Sequence, residues 1–394
     1  MKTFKSRYAL AALLIAATSC FDDSYHGAFV WGLDDTIPIP VNVAVGVPVS
    51  PVAKGYGLVD GLEDFDSHNI YVYAFNAEES ADFTVTSASD PTVCLVDASV
   101  DSPSSREGKQ ARLSSSSAYA VWTGDDTPFY QTGDYKSVRN RFFAYHIDTL
   151  APTAIHRTRD SIAVDLHIDG AQDIMAAIGK VAEGVDDPDS LFSFSYYSAR
   201  KGIVPVFQME HMLARLDFVI TPGEQKGHPK TIVLDSLSVL CPPDVRLTVA
   251  HKDTLNHPVR ILSGNKEYLP LTERGGAPLL KDHYTLVTPT PEGQVPPVIS
   301  VGSSLLVPPM DRIEGVTRMQ DSAEGMQDGY VSAFEISYPG GFLAGHRYEV
   351  RFTVYGVMYI DVNVTLVDWE TGGEIDLTDD PDNPGFEQEI LSLN

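Results

Sequence analysis

Ile37-Pro38-Ile39-Pro40-Val41-Asn42-Val43-Ala44-Val45-Gly46-Val47-Pro48-Val49-Ser50 places a β-branched residue at every odd position from 37 to 49. The even positions hold small or polar residues and Pro38, Pro40 and Pro48. A period of two with β-branched residues on one side is the pattern of a strand with one buried face. A proline has no N–H to give to a ladder, so three of them predict a place at a sheet edge. At ~3.3 Å per residue the stretch would extend for ~43 Å. A long apolar edge strand close to the N-terminus is a removable element, and its loss would uncover an apolar groove.

The same alternation recurs outward from this stretch. Asn69 to Phe75, Tyr119 to Thr123 and Arg141 to Ile147 read as strands, as does the run Ile162, Val164, Leu166 and Ile168. Leu216, Phe218 and Ile220 follow, then Thr231 to Leu240. Tyr348 to Val354 and Met358 to Val367 form a pair around Gly356, the second with Ile360, Val362, Val364 and Leu366 on one face. Asp169 to Val181 reads instead as a short helix, capped by Asp169 with Ile174, Ile178 and Val181 on one side. Thirty Gly and 26 Pro add turn signals throughout. The expectation is an all-β chain with one short helix and two β-sandwich domains in series, residues 37–203 and 204–394, the second ending in an acidic tail.

Over 394 residues, 28 Lys and Arg stand against 54 Asp and Glu, a formal charge of -26. Such a balance excludes nucleic acid as a partner, because phosphate contacts need a basic surface. It equally opposes electrostatic attraction to anionic lipids. No apolar run reaches the ~20 residues of a membrane-spanning helix.

The N-terminus carries the sharpest local signal. Lys2, Lys5 and Arg7 precede an apolar stretch from Tyr8 to Ala17, and Thr18, Ser19 and Cys20 follow. This order predicts a secretory signal peptide over residues 1–19. Cys20 after Ala17-Thr18-Ser19 resembles a bacterial lipobox, which makes its thiol the expected site of lipid attachment and residues 20–36 an acidic tether to the outer membrane. Two or three acyl chains anchor stably, since each buried CH₂ contributes ~0.8 kcal/mol.

Catalytic signatures are missing from the chain. It has no HExxH or CxxC motif, no GxSxG elbow and no P-loop, so neither an enzyme nor a metal or other cofactor is expected. Asp379-Asp380-Pro381-Asp382-Asn383-Pro384-Gly385 is rich in oxygen ligands but lacks the spacing of a calcium loop, and reads as a solvated tail. Cys94 and Cys241 each lie among apolar neighbours and read as two small buried residues. Asp followed by Ser or Thr and a small apolar residue occurs at Thr36, Thr149, Ser161, Ser190, Ser236, Thr254 and Ser322. Composition alone gives roughly two such triplets. They look like the O-glycosylation motif of exported Bacteroidota proteins, and equally like turn chemistry ahead of a strand.

Four segments, in order, resemble the fimbrillin family of Bacteroidota, the Mfa-like and FimA-like pilin lipoproteins of type V pili. Ile70 to Phe75 is similar to an early family strand, and Arg141-Phe142-Phe143-Ala144-Tyr145-His146 to a second. Phe207 to Phe218 contains the His211, Ala214-Arg215-Leu216 arrangement of a third, and Val367-Asp368-Trp369-Glu370-Thr371-Gly372-Gly373 is similar to the closing strand. The resemblance implies two tandem transthyretin-like Greek-key β-sandwich domains and export as an outer-membrane lipoprotein at the cell surface. It further implies proteolytic removal of the first strand and polymerisation with other pilin subunits by strand exchange, serving adhesion to a host or bacterial surface ligand. Lys54 matches the processing position, where the family more often has Arg. Ile37, Ile39, Val41, Val43, Val45, Val47 and Val49 are then the exchangeable face, and burying seven such side chains is a gross ~10 kcal/mol. The alternative is a surface-exposed carbohydrate-binding lipoprotein, for which Trp122, Phe129, Tyr130 and Tyr135 would form an aromatic platform.

Overall fold

The computed structural model describes residues 36–46, 69–98, 108–114, 117–124, 126–182, 191–224, 228–252, 258–273, 275–322 and 329–367. Its strands are β1 (Ala44–Gly46), β2 (Asn69–Asn76), β3 (Cys94–Val96), β4 (Lys109–Ser114), β5 (Ser117–Trp122), β6 (Asn140–His146), β7 (Ala154–Arg157), β8 (Ser161–His167) and β9 (Met175–Lys180). A five-residue helix, α1 (Tyr196–Arg200), separates these from β10 (Val206–Gln208), β11 (Glu210–His211), β12 (Ala214–Pro222), β13 (Lys230–Cys241), β14 (Asp244–His251) and β15 (Val259–Ile261). Then come β16 (Glu267–Pro270), β17 (Thr285–Thr288), β18 (Ile299–Val307), β19 (Met310–Asp321), β20 (Tyr330–Phe342), β21 (Arg347–Gly356) and β22 (Tyr359–Val367). The fold is all-β.

In the first half the pairings return on themselves. The sheet runs β10-β1-β5-β4-β2-β6-β9, and β9 pairs again with β10 through Val206 with Lys180 and Phe207 with Gly179. Gly179 permits this closure, because a Cβ there would stand 3.0 Å from Phe142 Cβ and 3.1 Å from Pro205 Cβ. Alternation along each strand then sorts side chains to the two faces. Ile70, Val72 and Ala74 of β2, Phe142 and Ala144 of β6, and Met175 and Ala177 of β9 fill the interior. Tyr73, Phe75, Phe143, Tyr145, Ala176 and Ile178 point the other way, against Ile162, Val164, Leu166, Val245, Leu247 and Val249 of a covering sheet. That sheet has the order β15-β14-β8-β7.

The covering sheet joins segments from both sides of residue 203. Asp244–His251 pairs with Ser161–His167 over most of both strands, so a piece of the second half completes the first. Beyond it, two sheets pack face to face: β18-β12-β21-β22 against β16-β13-β19-β20, with β17 also on β13. Their core contains Leu216, Phe218, Leu234, Leu237, Val239, Ile313, Phe334, Val350 and Phe352. Leu306 of β18 belongs to the other core, and its N–H donates to Gly170 O at 2.8 Å. Near this junction Arg215 is fully buried, its Nε donating to Asp217 Oδ1 at 3.1 Å and to Ser304 Oγ at 2.9 Å, while Arg347 pairs with the other carboxylate oxygen. Burial would raise the Asp217 pKa, but Arg215, Ser304 and Arg347 outweigh it and hold the carboxyl below its ordinary value.

One expectation is corrected here. The stretch from Asp169 to Val181 is not a helix: Met175–Lys180 is β9, hydrogen-bonded to β6 on one side and to β10 and β11 on the other. Five of its six residues are buried, so both faces are apolar and the period of two is hidden. Asp169 does accept a hydrogen bond, from Ala171 N–H at 2.9 Å, but as a turn rather than a helix cap. The described α-helix is α1 instead, held by a reciprocal pair between Ser195 and Ser198.

Candidate functional site

The site is the slot occupied by residues 36–46. Val41, Val43 and Val45 are fully buried in the first interior, with Ile39 half-buried beside them and Ile37 at the exposed mouth. Asn42, between the valines, faces solvent. Ala44 packs on the opposite side against Val206, Tyr119, Ala182 and Val204. Val47 and Val49 lie outside the described residues, as do Cys20 and Lys54.

This segment is not at a sheet edge. β1 runs parallel to β10, with Ala44, Val45 and Gly46 opposite Val206, Phe207 and Gln208, and antiparallel to β5, with Ala44 opposite Tyr119. Pro38 and Pro40 cost the ladder nothing because they precede the paired stretch. Pro40 makes an isolated bridge with Phe129, whose flanking bonds use other groups: Val41 N–H to Pro128 O at 2.8 Å, and Tyr130 N–H to Ile39 O at 2.9 Å. Further in, Ala44 N–H donates to Pro205 O at 2.9 Å, Ala120 N–H to Val43 O at 3.0 Å and Met209 N–H to Gly46 O at 2.9 Å. The prediction from proline failed because the bonds beside Pro40 run through Ile39 O and Val41 N–H and ask nothing of the proline nitrogen, while the strand pairing of 44–46 contains no proline.

Two side chains also hold the backbone of this segment. Trp122 on β5 donates its indole N–H to Val41 O at 2.7 Å, and Tyr196, the first residue of α1, donates its hydroxyl to Ile37 O at 3.0 Å. Both bind carbonyls and so are indifferent to the identity of the residue that carries them. Trp122 was visible in the sequence only as an aromatic, and Tyr196 not at all. Neither long-range hydrogen bond has a local signal.

Of the four aromatics considered for a platform, Trp122 is half-buried against the core and Tyr130 is buried within it, its phenol pushed well up by desolvation. Phe129 and Tyr135 remain exposed. Cys94 and Cys241 are both buried with free thiols, in separate cores. Burial raises each thiol pKa, that of Cys241 to about 12. Thr36, Thr149, Ser236 and Ser322 are exposed, Ser161 is half-buried, and Ser190 and Thr254 lie outside the described residues. Among the described residues no cluster of His, Cys, Asp and Glu is arranged to hold a metal ion, and no helix is long and apolar enough to cross a membrane.

No protein-family model and no curated protein sequence matches this chain. Among solved structures, a protein of Parabacteroides distasonis provisionally described as a cell adhesion protein is similar at 12% identity and a TM-score of 0.41, over 86% of this chain and 98% of that one. A fimbrial assembly protein of the same species is similar at 8% identity and a TM-score of 0.36, over 84% and 100%. The fimbrial anchor protein Mfa2 of Porphyromonas gingivalis follows at 11% and 0.30, over 85% and 100%.

Proposed function

We propose that this chain is a structural subunit of a cell-surface pilus, exported as a lipoprotein through Cys20 and assembled by exchange of its first strand. The observation that carries the reading is the seating of residues 36–46 between β5 and β10. The segment supplies three consecutive odd side chains to a closed interior yet makes its only described strand pairings through the few residues around Ala44. Cleavage after Lys54 would free it on its C-terminal side, and the tether to Cys20 would draw it away. The vacated slot would present two unpaired strand edges and three valine pockets, which an extended segment of another subunit could fill by strand addition. The valines at positions 41, 43 and 45 contribute a gross ~4.5 kcal/mol at ~1.5 kcal/mol each, before ordering costs.

The test is the N-terminus of the protein recovered from assembled surface fibres. A start at Gly55, lost in Lys54→Ala together with polymer formation, supports strand removal. Polymers whose subunits all begin at a lipid-modified Cys20 would overturn the exchange. Mass measurement of the same material tests sugar at the exposed Thr36, Thr149, Ser236 and Ser322.

A further inference from the structure

The outer strand of the second sandwich has the features of an unfinished sheet. β22 ends the order β18-β12-β21-β22, and among the described residues no strand pairs with its outer edge. Its inward side chains Ile360, Val362 and Val364 pack against the core yet are only half-buried, whereas Tyr348, Val350, Phe352 and Val354 of the neighbouring β21 are at most 1% exposed. Leu366 is 40% and Tyr359 64% exposed. Sheet edges are ordinarily blunted by proline, bulges, charge or brevity. The opposing edge strand β20 contains Pro339 with Gly340 and Gly341, β7 is four residues long with His156 and Arg157, and β15 has three residues. β22 spans nine residues with no proline or glycine and one charge, Asp361.

We propose that β22 pairs with β22 of a second copy, antiparallel across a two-fold axis at Asn363. In that register the whole strand is matched: Tyr359 faces Val367 of the second copy, Ile360 faces Leu366, Asp361 faces Thr365 and Val362 faces Val364. The single carboxylate meets a hydroxyl in both halves, while a register centred on Asp361 would set two carboxylates opposite each other. Self-complementarity of this kind is what a two-fold interface requires. It lets a chain of net charge -26 associate through a strip that carries one acid per copy. The inner row Ile360, Val362, Val364 and Leu366 would continue into the same row of the second copy, covering the flanks that the edge leaves open. The two β18-β12-β21-β22 sheets would thus become one.

Sedimentation equilibrium of the mature chain over a wide concentration range tests the pairing. Residue 365 is exposed, so changes there leave the core untouched. Thr365→Asp, which faces Asp361 of the second copy twice over, should weaken dimerisation about tenfold, from the repulsion of directly opposed like charges. Thr365→Lys should tighten it, and Asp361→Lys combined with Thr365→Asp should restore it. A chain that stays monomeric at every concentration would overturn the proposal, as would a dimer indifferent to all three changes. So would a monomer whose β22 amides are protected from hydrogen exchange along both edges, a result that assigns the edge to another part of the same chain.

Discussion

Val43→Ala measures whether residues 36–46 are seated as a core strand. Val43 is fully buried, its carbonyl accepts from Ala120 N–H at 3.0 Å, and its neighbour Asn42 is exposed. Removing two methyl groups forfeits ~1.6 kcal/mol of transfer free energy at ~0.8 kcal/mol each. A residual cavity of ~40 Å³ adds ~1 kcal/mol at ~24 cal/mol per Å³. The expected cost is therefore ~2.5 kcal/mol, against within ~0.5 kcal/mol for Asn42→Ala on the solvent side. Urea unfolding followed by tryptophan fluorescence reads both variants, and Trp122 reports on this slot because its indole bonds to Val41. Equal costs for the two variants would refute the seating, and with it the argument that the slot depends on alternate side chains of this segment.

Trp122→Phe keeps an aromatic ring but deprives Val41 O of its donor, and should cost ~1–2 kcal/mol in the same assay. The acid limb of stability tests the Asp217 cluster. Its folded pKa is depressed, so its contribution is full above the unfolded value near 3.8 and is lost as pH falls through the folded value. Asp217→Asn should lower stability at neutral pH, by leaving Arg215 and Arg347 without their carboxylate, and should flatten the loss below about pH 4 in urea titrations. Gly315→Ala would set a Cβ 2.3 Å from Phe334 Cζ and 2.6 Å from Ser238 O, so a fall of at least ~1–3 kcal/mol is expected by thermal unfolding. Both thiols should resist a disulfide reagent at pH 8 in the native chain and react fully in denaturant, since Cys94 and Cys241 are buried with raised pKa values.

Strands with one wet face were legible because their alternation is written into the residues. Tyr348, Val350, Phe352 and Val354 lie on the core side of β21, and Glu349, Arg351 and Thr353 between them are only half-buried. β9 was illegible for the complementary reason: Met175, Ala176, Ala177 and Ile178 are buried on two faces, so no period marks it as a strand. Pairing partners were legible where a tight turn joins them, as at Gly356 between β21 and β22, and illegible between segments far apart in the chain. Nothing local tells Ala44 that Val206 will lie beside it in parallel, nor Val164 that Leu247 will complete its sheet. The edge position assigned to residues 37–49 shows the same limit, since proline reports which N–H is missing and not whether a neighbour needed it.

A strand between two partners has a different meaning from one at a margin. Taking away an edge strand exposes one new edge and leaves the rest of the sheet closed. Taking away β1 would open a ring, leaving β5 and β10 to face each other across an empty row. β10 would then keep only its two register pairs with β9, and it leads directly into β11 and β12. The loss would therefore be felt at the start of the second sandwich as well as in the first interior. Under the exchange proposed above, an incoming strand would be recognised in two ways at once. Trp122 and Tyr196 read backbone carbonyls four residues apart and accept any sequence, while the pockets of Val41, Val43 and Val45 read side-chain volume at every second position. Selectivity among donors should then follow pocket fit, with the hydrogen bonds setting direction and register.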